Sequence, residues 1–320
     1  MWIFALLLLL PISEALADTR LGIAFDTPER LRGTLNYTGS VHSSADIPDQ
    51  ARTLDSHDHV LNLRIPMSRT RQSVWAPKLT AGYRGQESGA VIGTIPVPKG
   101  LAEVTLGADY IRNTERNNFL GLSASAGFKS DQIGKSLHEL GFEALVFLRS
   151  PSTQTSGWIY FGQFSNNRNY LNWLPIPGIA YHSAWRDKLS FALGVPYSSF
   201  RLAPSREFRF EGSFQLFQAA RAQAIYSVES GEAFVLGFRW DHEGYLLNGR
   251  TDRSERLIVE EKRVFGGFEA QIIPDFRLQL VAGMLFDKKL ARRTSMFKDP
   301  ASQIVLDPAL FGTLNVYVTF

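Results

Sequence analysis

The chain is expected to fold as an all-β protein, a transmembrane antiparallel up-and-down β-barrel of about 14 strands within a range of roughly 12–16. Three observations predict it. Apolar and polar residues alternate with period two, aromatic residues gather towards the ends of the alternating segments, and the last segment is amphipathic and stops on a phenylalanine.

Alternation matters because successive side chains of a strand point to opposite faces. Near the start, Leu35, Tyr37 and Val41 oppose Arg32, Thr34, Asn36 and Thr38. Val104, Leu106, Ala108 and Tyr110 then oppose Glu103, Thr105, Gly107 and Asp109, and Leu120, Leu122, Ala124, Ala126 and Phe128 oppose Ser123, Ser125 and Gly127. The clearest segment sets Phe208, Phe210, Gly212, Phe214 and Leu216 against Glu207, Arg209, Glu211, Ser213 and Gln215, a division no helix can make. Phe234, Leu236, Phe238 and Trp240 oppose Arg239 and its neighbours, and Phe276, Leu278, Leu280, Ala282, Met284 and Phe286 oppose Arg277, Gln279 and Gly283.

A soluble sandwich alternates too, so length decides. These segments run about 8–12 residues, close to the ~9–11 that a tilted strand needs to cross hydrocarbon and longer than the ~5–6 usual in sandwiches. Trp158, Tyr160, Trp173, Trp185, Tyr226 and Trp240 lie towards segment ends, where interfacial girdles favour rings. In the final LFGTLNVYVTF, Leu314, Val316, Val318 and Phe320 share one face. Such a strand is expected to serve as the assembly signal read by the bacterial barrel-assembly machinery and to close the sheet against the first strand, because an open apolar edge aggregates.

Composition narrows the alternatives. Hydrophobic residues make up 44% of the chain and charged residues 20%, and no stretch beyond the N-terminus approaches the ~18 apolar residues of a spanning helix. Cysteine is absent, which excludes disulfides, thiolate metal sites and a cysteine nucleophile. The net charge of +3 comes from basic and acidic residues interleaved along the chain, so nucleic acid is not an expected partner and outer-membrane lipids are. The apolar run from Ile3 to Ile12, followed by Ala15-Leu16-Ala17, predicts a signal peptide over 1–17, with the barrel over 18–320 and an outer-membrane location. Charged stretches 243–261 and 287–309 are expected to be long external loops. Ile273-Pro274-Asp275, Trp185-Arg186-Asp187 and Pro204-Ser205-Arg206 are expected to be tight turns at the opposite end. Segments 188–203 and 221–240 each suit one strand or a hairpin.

Within YLNWLPIPGIAYHSAWRDKLSFALGVPYSSFRLAPSREFRFEG, the residues Leu174, Pro175 and Gly178, the turn from Trp185 to Lys188, the pair Gly194 and Pro196, and then Phe208 and Phe210 resemble an uncharacterised bacterial family of outer-membrane β-barrel proteins. GMLFDKKL, from Gly283 to Leu290, is similar to that family's penultimate strand ending. The resemblance covers mainly 170–290. It implies a barrel and its location and supplies no catalytic residues.

Candidate chemistry is sparse. Outer-membrane lipid hydrolases need a His and a Ser two apart on the outer wall; His42 and Ser44 have that spacing, although the Leu35–Tyr37 register turns even positions inward. His182 and Ser183 are adjacent and so face opposite walls. His57 and His59, with Asp55 and Asp58, lack a third ligand at proper spacing, and Asp299 and Asp307 lack the array a calcium site needs, so no metal and no cofactor is expected. The inward set is more informative: Glu103, Asp109, Arg209, Glu211, Arg221, Glu229, Arg239, Asp241, Arg263, Glu269 and Arg277. Mixed signs suggest cross-strand ion pairs that brace the interior, where a selective anion channel would show a ring of one sign. The expected function is a narrow channel for small polar solutes or a structural barrel. The alternatives are a lipid-modifying hydrolase using His42 and Ser44, or a receptor or adhesin acting through the two long loops.

Overall fold

The computed structural model describes residues 31–320 and Pro28, except 115–117, 154, 169–170, 186–187, 229–230, 251, 296 and 298. The predicted signal peptide, Glu229, Arg186 and Asp187 lie outside the described residues. Among those described, sixteen antiparallel strands close into a barrel. In chain order they are β1 (Thr34–Ile47), β2 (Arg52–Arg64), β3 (Ser73–Glu87), β4 (Gly100–Asn113), β5 (Phe119–Ser130), β6 (Leu140–Pro151), β7 (Ser156–Ser165) and β8 (Ile176–Trp185). They continue with β9 (Leu189–Val195), β10 (Tyr197–Leu202), β11 (Phe208–Gln215), β12 (Ala219–Ser227), β13 (Glu232–Tyr245), β14 (Arg256–Ile273), β15 (Phe276–Arg293) and β16 (Ala309–Thr319).

Each strand pairs with its sequence neighbours, and β16 returns to β1. Leu314 faces Gly39, Val316 faces Tyr37 and Val318 faces Leu35, so three of the residues predicted to close the sheet do so. Gly33 and Phe320 exchange backbone hydrogen bonds at 2.8 and 3.0 Å, which seals the seam at the end where β1 begins and β16 stops, here called the terminal end. A closed ladder leaves no edge, so every strand in it has two partners.

The count is sixteen where about 14 strands were expected. Segments 188–203 and 221–240 are both hairpins. In the first, β9 and β10 have only seven and six residues, too short for alternation to separate them from one longer strand. The wall is correspondingly low there and high at β14 and β15, which each run 18 residues. That height also shortens the predicted loops. Strands absorb 243–245, 256–261 and 287–293, leaving 246–255 and 294–308, and Ser302–Leu306 of the latter pairs with β15. The turns at 274–275 and 203–207 lie at the terminal end, as expected.

Outside, the even-numbered face of β15 and its register partners form an apolar band that continues round the whole wall. Leu106 is 64% exposed and Leu236 68% exposed, and Leu122, Val146, Tyr160, Leu193, Phe210 and Leu280 are likewise open on the same face. Inside, side chains pack and pair. The chain has no cysteine, so a pair introduced at Thr38 and Asn315, register partners on β1 and β16, reports closure directly. Thr38→Cys with Asn315→Cys is expected to oxidise to an intramolecular disulfide, seen as a reducible gel shift. Thiols that stay fully alkylatable after oxidant would contradict the seam.

Candidate functional site

The interior is where this wall gathers chemistry. Along the lower and middle levels, polar side chains form rungs. Thr38 donates to Asn315 at 2.8 Å, Asn315 to Gln279 at 2.9 Å and Gln279 to Glu269 at 3.2 Å, with Arg277 on the other Glu269 oxygen at 3.2 Å. On β3 to β5, Lys78 reaches Asp109 at 2.9 Å and Ser123 at 2.6 Å, while Arg64 stands 3.6 Å from Asp109. Arg209 pairs with Glu211 at 2.7 Å, and Gln223 donates to Glu211 at 2.9 Å. Arg239 is bonded to Asp241, with Arg221 3.9 Å from the same carboxylate. Glu103 pairs with Lys129 at 3.1 Å. The structure thus sets Glu103, Asp109, Arg209, Glu211, Arg221, Arg239, Glu269 and Arg277 on the inner face, each in contact with a group of opposite charge.

Higher up, contacts cross the barrel. Arg84 on β3 holds Asp58 of β2 at 2.6 Å and reaches Glu261 of β14 at 3.4 Å. Arg263, bonded to Glu261, lies 3.6 Å from Asp58, and Lys288 on β15 donates to Ser56 on β2 at 3.0 Å. All of these side chains are buried except Arg263, which is half-buried. A round sixteen-strand barrel leaves an aqueous channel. Pairs between walls this far apart in the strand order therefore mean that the section is pinched.

Lys288 gets there through a bulge. The β14–β15 register shifts between Glu260 and Lys262, and Asp287 takes φ 51°, a left-handed conformation that costs a non-glycine residue about 1–2 kcal/mol. Bulges re-aim side chains. Below this one, Phe286 is outside; above it, Lys288 is inside at 1% exposure and the outer face turns charged, with Lys262 and Lys289 both bonded to Asp287. A second bulge on β1, between His42 and Ala45, separates the two residues of the proposed dyad. His42 faces inward, its Nδ1 2.8 Å from Ser56 Oγ and its Nε2 3.6 Å from Asp58, while Ser44 is exposed beyond the bulge. His42 and Ser44 are not brought together. His57 and His59 lie on the outer face beside Tyr83 and Tyr37, and Asp58 points the other way into the barrel, so these groups do not converge.

The end away from the termini is shut. Ala90, Ile92 and Val97 of the 88–99 connection fold inward onto Leu54, Leu101, Leu257, Leu290 and Ile304, all at most 4% exposed. Across this plug lies the 246–255 strap. Leu246 N–H donates to Lys129 C=O at 2.8 Å, although β5 and β13 stand on opposite sides of the strand cycle. Lys129 is also 3.4 Å from Glu243. Asn248 N–H donates to Asp131 at 2.7 Å, and Arg250 to the His138 carbonyl at 2.7 Å. Burial at this contact holds the Arg250 guanidinium below its ordinary value. At the foot of the strap, Arg256 donates to Asn166 C=O at 2.7 Å.

Sequence reasoning missed Ser56, Arg84, Glu261 and Lys288. Arg84 and Ser56 sit in plain alternating segments, and only their register with β14 and β15 makes them neighbours.

No family model matches the chain, and no curated protein does. Among solved structures it is similar to an outer membrane channel from Pseudomonas putida F1 (12% identity, 91% of this chain and 96% of that chain, TM-score 0.38). It is also similar to OccK7 (OpdD) of Pseudomonas aeruginosa (9% identity, 90% and 98%, TM-score 0.41) and to a FadL homologue of the same organism (10% identity, 93% and 92%, TM-score 0.42). Nothing of what those proteins do is transferred to this chain at this level of likeness.

Removing one partner of a buried pair leaves an uncompensated charge. Asp58→Ala strips Arg84 and Arg263 of a shared carboxylate and is expected to cost about 3–5 kcal/mol in denaturant unfolding. Asp46→Ala, on an exposed site of β1, is expected to stay within about 0.5 kcal/mol. Equal costs for the two would contradict the crossing network.

Proposed function

We propose that the chain is an outer-membrane barrel that forms a narrow conduit for small polar solutes, held here with its outer mouth closed. The observation that carries this reading is the sorting of the wall, with an apolar band outside and ion pairs inside. On β15 the outer face is apolar from Phe276 to Phe286, about 34 Å of strand at ~3.4 Å per residue. At a tilt near 40° that is about 26 Å of height, matching the ~25 Å apolar band of outer-membrane barrels. The charged outer patch at Lys262, Asp287 and Lys289 begins just above it, where headgroups and water would lie.

On this reading the end with the strap and plug faces outward and the end with the termini faces the periplasm. The lumen's charged lining favours polar solutes, and the strap is the barrier they meet. A purely structural barrel is the second reading, supported by how fully the pinched section is packed.

One measurement tests the membrane-facing band and a second separates the conduit from the structural barrel. Leu106→Arg, in the middle of the band, is expected to lower stability in lipid by about 2–4 kcal/mol, whereas an exposed residue facing water would tolerate the change within about 0.5 kcal/mol. In planar bilayers the wild-type protein is expected to be silent or to open rarely, and Asp131→Ala with Arg250→Ala, which removes the acceptor of the Asn248 N–H and the donor to the His138 carbonyl, to conduct steadily. A strap variant that folds and inserts but never conducts would remove the conduit and leave the structural barrel.

A further inference from the structure

We propose that the inner wall formed by β12, β13 and β14 holds a binding site for an oxyanion, the carboxylate or phosphate of a solute in the lumen. The proposal rests on the conduit reading for how such a solute arrives.

The strand register is the first ground. Arg221 faces Arg239, and Arg239 faces Arg263, so three guanidiniums stand in one line across three adjacent strands. Like charges directly opposite on a sheet repel. The next inward row, Gln223, Gly237 and Phe265, carries no charge at all, so the wall does not need cations at this height to form.

Charge balance is the second ground. Asp241 serves Arg239 and also faces Arg221 at 3.9 Å. Glu261 and Asp58 serve Arg263, but both are shared with Arg84, and Glu261 also stands 3.9 Å from Lys288. Asp58 and Glu261 are thus each shared by Arg84 and Arg263, and neither carboxylate is committed to a single cation. Arg84 is buried, and its Nη1 has no hydrogen-bond partner among the described residues; the same holds for Nε of Arg263. Buried donors left without an acceptor raise the energy of the empty site, and an arriving anion that accepts from them lowers it.

Access is the third ground. The Arg239 side chain keeps 36% of its surface open and Arg221 keeps 25%, although both face the inside of the barrel. They reach towards the lumen, with Arg263 beside Arg239 in the same row. A guanidinium presents parallel N–H donors that match a carboxylate or phosphate edge, which makes a row of three a fit for an oxyanion rather than for a neutral sugar.

The test uses the folded barrel in detergent, titrated calorimetrically with inorganic phosphate and separately with succinate, against sodium chloride at matched ionic strength. Saturable binding of either probe is expected, and which one binds more tightly tells phosphate from carboxylate. Arg239→Gln is expected to weaken it about tenfold or more, the loss of one charge-assisted contact. Arg221→Gln provides a second variant should the first fail to fold. Arg112→Gln, exposed at the terminal end of β4, is expected to leave binding unchanged. Chloride matching both probes, or Arg239→Gln and Arg221→Gln binding as the wild type does, would overturn the site. Because the readout is binding, a barrel that binds anions but never conducts loses the conduit and keeps the site, and the converse holds equally.

Discussion

Closure of the backbone ladder is the constraint on which the rest depends. Once β16 pairs with β1, every strand has neighbours on both sides, and a side chain can only point out of the cylinder or into it. Alternation then becomes a sorting rule that applies to all sixteen strands at once. The outer face is free to be apolar because no edge competes for pairing, and the inner face must satisfy whatever charge it receives. Both consequences are visible: open leucines and phenylalanines outside, and carboxylates each matched to a cation inside.

The interior departs from an even cylinder where two bulges break the sorting rule. One follows His42 and the other surrounds Asp287. The second turns Lys288 towards Ser56, where His42 already points, and sets β15 in contact with β2. The strap then extends the pinch to the mouth, where Leu246 bonds to the far wall. Closure of the ladder makes a tube, and the bulges with the strap make it a shut one. The in-line arginines sit just below this constriction, on the side of the lumen that remains open.

Much of this was legible in the sequence. Period-two alternation predicts the barrel, the outward faces of β11, β13 and β15, and the pairing of the last strand with the first. The strand count was less legible, since β9 and β10 are short and Ser198 stands on the outer face where a longer strand would show an apolar residue. The inner charges were predicted as a mixed set, but a sequence gives no heights. Arg221, Arg239 and Arg263 lie in three different segments, and nothing in their spacing shows that they share a row. Lys288 belonged by its neighbours to an external loop, and a single left-handed residue at Asp287 carries it inside.

That inversion offers the most direct check of the sorting. Nitroxide labels placed singly from Leu278 to Leu290 in protein reconstituted into liposomes report exposure to oxygen in lipid and to a nickel chelate in water. Even positions up to Phe286 are predicted to be oxygen-accessible and odd ones shielded, after which the phase reverses, with 288 shielded and 289 open to the chelate. Unbroken alternation through 287, or no period of two, would contradict the account.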